Sequence, residues 1–117
     1  MHYLLMIHVD EAALDKAREP DDGAALFAAF EVYTQALREA GVHRAGAALQ
    51  RASSATIVRS RDGKSQVLNG HYAEAKEQLG GYYLIEAADL DAAITWAARC
   101  PGVPYGAIEV RPVWHMG

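Results

Sequence analysis

Hydrophobic and polar positions change period several times along the chain, and each change marks an element. From His2 to Val9 strand formers fall into two alternating sets, Tyr3, Leu5, Ile7 and Val9 on one side and Leu4 and Met6 with His2 and His8 on the other. Both sides are largely apolar, unlike a strand with one wet face. Glu11 to Gly23 is polar and carries the turn signal Pro20-Asp21-Asp22-Gly23, so it reads as a surface connection with room for a short helical turn. From Ala24 the period lengthens. Leu26, Phe30, Tyr33, Leu37 and Ala40 recur at three- and four-residue spacing, the mark of a helix with one buried stripe. Asp22 is its expected N-cap and Gly41 its expected stop.

His43 to Leu49 predicts a second strand, and Ala55 to Arg59, with β-branched Thr56, Ile57 and Val58, a third. Arg61-Asp62-Gly63-Lys64 reads as a tight hairpin turn because Asp-Gly tolerates positive φ, and Ser65 to Leu68 is the returning arm. Tyr82 to Glu86 predicts another strand. Asp89-Leu90-Asp91 opens a second helix with acidic side chains that cap free amides, Leu90, Ala93, Ile94 and Ala97 form its apolar face, and Pro101-Gly102 ends it. Ala107 to Val113 is the last strand, with Ile108 and Val110 inward and Glu109 and Arg111 on the opposite side.

The resulting order is an α+β, ferredoxin-like βαββαβ arrangement with an extra hairpin between its halves. Both helices then cover one sheet face. The first strand is central in this topology and apolar on both sides, and each large apolar side chain fully buried is worth about 1.5 to 3 kcal/mol. Something must cover the second face. A second copy of the chain is the simplest cover, giving a homodimer whose sheets face one another as a dimeric α/β barrel with a ligand-sized space; the alternative is that the extra hairpin folds back as a lid.

Composition narrows the function classes. A length of 117 residues, 51% of them hydrophobic, fits one domain spanning residues 1–117. A net charge of −4, with Lys and Arg scattered among acids, leaves no nucleic-acid footprint. The single cysteine, Cys100, permits no internal disulfide and reads as a small buried group in a reducing compartment. Tyr3 to Val9 is too short for a membrane span and lacks a basic flank, so the expected location is cytoplasmic, with no membrane partner.

Candidate chemistry concentrates in two places. The segment from Asn69 to Tyr82 has Gly70 at one end and Gly80-Gly81 at the other, read here as a turn, a short amphipathic helix and a double-glycine exit before a strand. His71 beside Tyr72 supplies an imidazole and a phenol for polarising a carbonyl or moving a proton, against the reading of a surface turn. Glu74, Lys76 and Glu77, on the expected short helix, either flank a ligand or simply solvate the surface. The second place is the sheet face that carries His8, Glu109 and Arg111, where an imidazole, a carboxylate and a guanidinium would meet around one cavity; the alternative is a Glu109–Arg111 ion pair across the dimer. No metal is expected, because His2, His8, His43, His71 and His115 lack ligand spacing. No cofactor is expected either: phosphate-cradling and nucleophile-elbow motifs are missing, and Tyr33, Tyr82, Tyr83, Trp96 and Trp114 read as core or interface aromatics.

The stretch from Ala55 to Gly63, the run from Gly70 to Tyr82, Asp89 to Ala97 and Glu109 to Val113 together resemble the YCII-related family, in its DGPF-motif branch. The most specific piece is Ala73-Glu74-Ala75-Lys76-Glu77-Gln78-Leu79-Gly80-Gly81-Tyr82, where the branch has Ala-Glu-Thr-Lys-Glu-Gln-Leu-Gly-Gly-Tyr. The resemblance implies a dimeric ferredoxin-like α/β barrel. Some members of the wider family look like small enzymes using a His-Asp pair, and branch members are often associated with extracytoplasmic-function sigma factors. Two departures stand out: the name-giving Asp-Gly-Pro-Phe is Asn69-Gly70-His71-Tyr72 here, and the start of the first helix, Asp22-Gly23-Ala24-Ala25, has no histidine. Two function classes follow. One is a protein binding a small, anionic molecule in a barrel cavity with acid-base catalysis by His71 or His8; the other is a non-enzymatic accessory or regulatory protein.

Overall fold

Strand β1 (His2–Val9) lies between two neighbours, and everything else is arranged around it. The computed structural model describes residues 1–70 and 76–114. Helices α1 (Glu11–Arg18) and α2 (Ala24–Glu39) lead to β2 (His43–Ala48), a 3-10 turn at Ala52–Ser54 precedes the hairpin β3 (Thr56–Arg61) and β4 (Lys64–Asn69), and β5 (Gln78–Glu86), α3 (Leu90–Ala98) and β6 (Gly106–Pro112) complete the fold. The main sheet is four-stranded in the order β2-β5-β1-β6, and each neighbouring pair is antiparallel. That order is the ferredoxin-like arrangement.

The core lies on the helical side of this sheet. Tyr3, Leu5, Ile7 and Val9 of β1 pack with Tyr83 and Ile85 of β5, Tyr33 and Leu37 of α2, and Ala93 and Ala97 of α3. A row of aromatic rings crosses this layer. Tyr33 meets Tyr83 edge-on at 5.3 Å and Trp96 at 6.4 Å between centroids, and its hydroxyl donates to the Trp96 carbonyl at 2.7 Å, so the polar end of a buried ring is satisfied. Cys100 is buried beside α3, as its surroundings in the sequence suggest.

Several elements differ from the expectations above. Residues 11–18 form a full helix, because Asp10 accepts from the amides of Ala12 and Ala13 at 3.0 and 3.3 Å and caps it. At α2 the N-cap is Gly23, not Asp22; Asp21 supplies the carboxylate, accepting from Gly23 at 3.2 Å and from Ala25 at 2.9 Å. Gly41 (φ 74°) stops α2 as expected. On α3 only Ala93 and Ala97 are buried, while Leu90 and Ile94 are 47% and 48% exposed, since α3 rests on the sheet through its small residues. Trp114 is also exposed.

The double glycine has a different role from the one its sequence suggests. Residues 76–77 are a bend rather than a helix, and Gln78 and Leu79 already belong to β5, so Gly80 and Gly81 lie inside that strand. The ladder shifts register there: Ile7 faces Gly81 and His8 faces Leu79, which leaves Gly80 as the extra residue of a bulge. Neither glycine has positive φ; a Cβ on Gly81 would sit 2.9 Å from the Ala47 carbonyl oxygen of β2. Close approach between strands, not a special backbone angle, selects glycine here. Gly70, at φ 97°, does use the left-handed region.

The hairpin β3–β4 forms a sheet of its own. Its turn is built as the sequence predicts, with Asp62 and Gly63 at φ 52° and 75°. Among the described residues neither of its strands packs substantially on the four-stranded sheet. The chain is correspondingly flat, 48 × 46 × 18 Å.

Replacing Gly81 with Ala is expected to lower stability by about 1 to 3 kcal/mol, because β2 and β5 must part to admit the methyl group. Urea unfolding of G81A measures this, and an unchanged midpoint would mean that the strand contact yields freely.

Candidate functional site

The face of the sheet away from the helices presents Leu4, Met6 and His8 of β1, Tyr82 and Leu84 of β5, and Glu109 and Arg111 of β6. Register places them: Leu4 pairs with Leu84 and Arg111, and Met6 with Tyr82 and Glu109. Leu4, Met6, Tyr82 and Leu84 are half-buried, forming an apolar strip at the middle of the sheet.

At one end of this strip three polar side chains meet. His8 Nε2 lies 3.0 Å from Glu109 Oε1, and the Arg111 guanidinium binds the other oxygen, Oε2, of the same carboxylate. The pairing of β1 with β6 explains the geometry, since His8 faces Ala107, Glu109 stands two residues along on the same face, and Arg111 stands two residues beyond Glu109. The side chains are 28%, 35% and 66% exposed for His8, Glu109 and Arg111, so the imidazole is the most sheltered and the guanidinium opens to the surroundings. Hydrogen bonding from His8 and then Arg111 holds the Glu109 carboxyl below its ordinary value. A carboxylate can only accept, so the His8 Nε2–H is the donor in this contact. One edge of Arg111 is spent on Glu109, and its remaining donors are available for an anion.

The sequence thus anticipated the meeting of His8, Glu109 and Arg111, with the difference that Glu109 and Arg111 pair within one chain. Lys76 is exposed just before β5, at the end of the sheet where His8 lies. His71, Tyr72 and Glu74 lie outside the described residues. Among the described residues no group of three or more His, Cys, Asp or Glu side chains is arranged to hold a metal ion, and no helix is long and apolar enough to cross a membrane.

A concavity of about 1090 Å³ opens on the helical side between α2 and the β2–β5 edge of the sheet. Thr34 donates to the Phe30 carbonyl at 2.8 Å, and since a threonine hydroxyl has one proton, the Tyr83 hydroxyl at 2.7 Å must be the donor to Thr34 Oγ1. Burial raises the Tyr83 phenol above its ordinary value, keeping it protonated. His43 stands edge-on to Tyr83 at 6.2 Å. Sequence reading placed these residues only as core or strand members; the one available signal was Thr34, a polar residue four positions after Phe30 on the buried stripe.

Comparisons with known proteins fit this architecture. An uncharacterised protein of Rhizobium meliloti (strain 1021) is 39% identical over 77 residues; the chain spans 62% of the length of that curated relative, matching it over 64% of its own. Among solved structures, the 5-chloro-2-hydroxyhydroquinone dehydrochlorinase TftG of Burkholderia phenoliruptrix AC1100, in complex with 2,5-dihydroxybenzoquinone, superposes with a TM-score of 0.57 over 99% of this chain and 96% of that one. At 17% identity the likeness is one of fold. The YCII-related domain matches the sequence over residues 1–117, and the protein belongs to the YCII-related family.

Proposed function

We propose that the protein binds a small, anionic, oxygen-bearing molecule on the open sheet face and moves a proton on it, with His8 as the acid-base group. The observation that carries this reading is the 3.0 Å contact between His8 Nε2 and a carboxylate whose other oxygen is held by Arg111. Glu109 is a positioning residue: it fixes the imidazole tautomer so that Nδ1 faces away from the carboxylate as a base, and it stabilises the imidazolium once a proton has been taken. Arg111 provides charge and direction for an anionic substrate. A fold relative that carries an oxygenated ring, 2,5-dihydroxybenzoquinone, supports an acidic ring hydroxyl as the substrate class.

Two copies of the chain complete the site. Leu4, Met6, Tyr82 and Leu84 form a half-buried strip that no strand of the hairpin packs over, and burying a large apolar side chain gains about 1.5 to 3 kcal/mol. Sheet-to-sheet pairing hides the strip and turns the His8 end into a chamber from which water is excluded, where the charge pairs act more strongly.

Three outcomes are expected. Sedimentation at micromolar concentration gives a dimer, and Met6→Glu, which sets a carboxylate in the strip, gives a monomer; a monomeric wild type would leave the chamber open. Titration with 2,5-dihydroxybenzoquinone gives saturable binding that His8→Ala and Arg111→Ala each weaken by roughly tenfold, the loss of one charge-assisted hydrogen bond; identical binding by the variants removes His8 from the site. In acid, the stabilisation contributed by Glu109 is present above the ordinary carboxylate value of 4.5 and is lost as pH falls through the lower folded value, because its pKa is depressed on folding. The stability gap between wild type and Glu109→Gln therefore closes on acidification, as thermal melts between neutral pH and pH values below that range measure.

A further inference from the structure

The concavity on the helical side has the features of a binding site separate from the open sheet face. Its volume, about 1090 Å³, is at the upper end of what small-molecule sites occupy. One part is lined by Phe27 and Phe30 of α2 and Ile7 and Val9 of β1, with the charged Glu31, Asp15 and Arg18 at its rim. Phe27 is 67% exposed on its helix, an aromatic ring kept at the wall of a cleft instead of in the core. The other part is polar and cationic. Arg38 lies within electrostatic reach of both His43 and Tyr83, lowering the pKa of His43 after partial burial and opposing the upward shift of Tyr83.

The charges within the cleft are unequally matched. Arg51 is held by Asp15 at 2.5 Å and lies 4.0 Å from Glu11. Arg38 and Arg18, both in the lining, have no ion-pair partner among the described residues, and Arg38 is the one that lies beside His43 and Tyr83. Glu31, also in the lining, is about 10 Å back along α2 from Arg38. The Tyr83 hydroxyl donates to Thr34 and the Thr34 hydroxyl to the Phe30 carbonyl, so neither presents a free proton to an anion, and the Arg38 guanidinium and a His43 N–H are donors at that end.

We infer that this cleft binds a medium-chain aliphatic carboxylate, its alkyl chain along α2 against Phe27 and Phe30 and its head group on Arg38 and His43. The axial distance from Phe30 to Arg38, about 12 Å along the helix, is the reach of such a chain. An apolar body with a single anionic end would contact Phe27 and Phe30 and answer Arg38, whereas a polyanion would bring negative charge against Glu31 and Asp15, and an uncharged lipid would leave Arg38 unanswered.

Decanoate is the probe, with decanol as its uncharged counterpart, added below micelle-forming concentrations to the full chain and followed by isothermal titration calorimetry. Saturable binding of decanoate is expected, with decanol binding roughly tenfold more weakly. Arg38→Ala should weaken decanoate by about tenfold and leave decanol unchanged. Phe27→Ser should weaken both. Arg38 and Phe27 are exposed, so these variants keep the core intact, which circular dichroism verifies. His8→Ala should bind decanoate as wild type does, which separates this cleft from the sheet-face site: each can fail while the other stands. Absence of saturable binding, equal affinity for decanol, insensitivity to Arg38→Ala, or loss of binding in His8→Ala would each overturn the inference.

Discussion

The fold depends on one constraint, that the central strand β1 is apolar on both sides. Its Tyr3, Leu5, Ile7 and Val9 set fixes which face the helices cover, because only burial against Tyr33, Leu37, Ala93 and Ala97 removes those side chains from water. The opposite set, Leu4 and Met6, is what the chain by itself does not fully bury. The same strand carries His8 on that second face, so the imidazole borders apolar surface on one side and Glu109 on the other. Architecture and candidate chemistry thus arise from one alternating segment of eight residues.

The two sites differ in how the fold makes them. The sheet-face site is built on the ladder itself: strand pitch and register fix the spacing of His8, Glu109 and Arg111, which gives a rigid placement for groups whose roles depend on tenths of an ångström. The helical-side cleft is instead lined by side chains from α1, α2 and the β2–β5 edge of the sheet, elements far apart in sequence. Glycine contributes to both. Gly46 and Gly81 allow Tyr83 and β2 to approach a backbone that a Cβ would hold off, and this positions the Tyr83 hydroxyl against Thr34.

The hairpin β3–β4 stands apart from both sites. A two-stranded hairpin is marginal alone in water, and Val58 and Val67, directly paired, are 67% and 64% exposed. Gly70 closes the base of the hairpin by donating to the Ala55 carbonyl, and the segment leading into it is tied to α1, where Ala52 donates to Glu11 at 2.8 Å.

Sequence alone determined the strands, the long helix, the Asp-Gly turn and the ferredoxin-like order, because period and turn chemistry are local and each is written within a few residues. It also placed Glu109 and Arg111 on one face, since alternation along a strand is local too, and named His8 as their neighbour once the order was known. Caps were less legible: Asp21 and Asp22 are equivalent on paper, and only the left-handed turn at Asp22 and Gly23 decides that Asp21 reaches the free amides. Gly80 and Gly81 read as a loop exit until β2 came within contact of β5, and Thr34, Tyr83 and His43 read as separate members of three elements. Tertiary structure decided these, because close approach of two backbones and the meeting of side chains far apart in sequence depend on which elements pack together, a relation that no local pattern encodes.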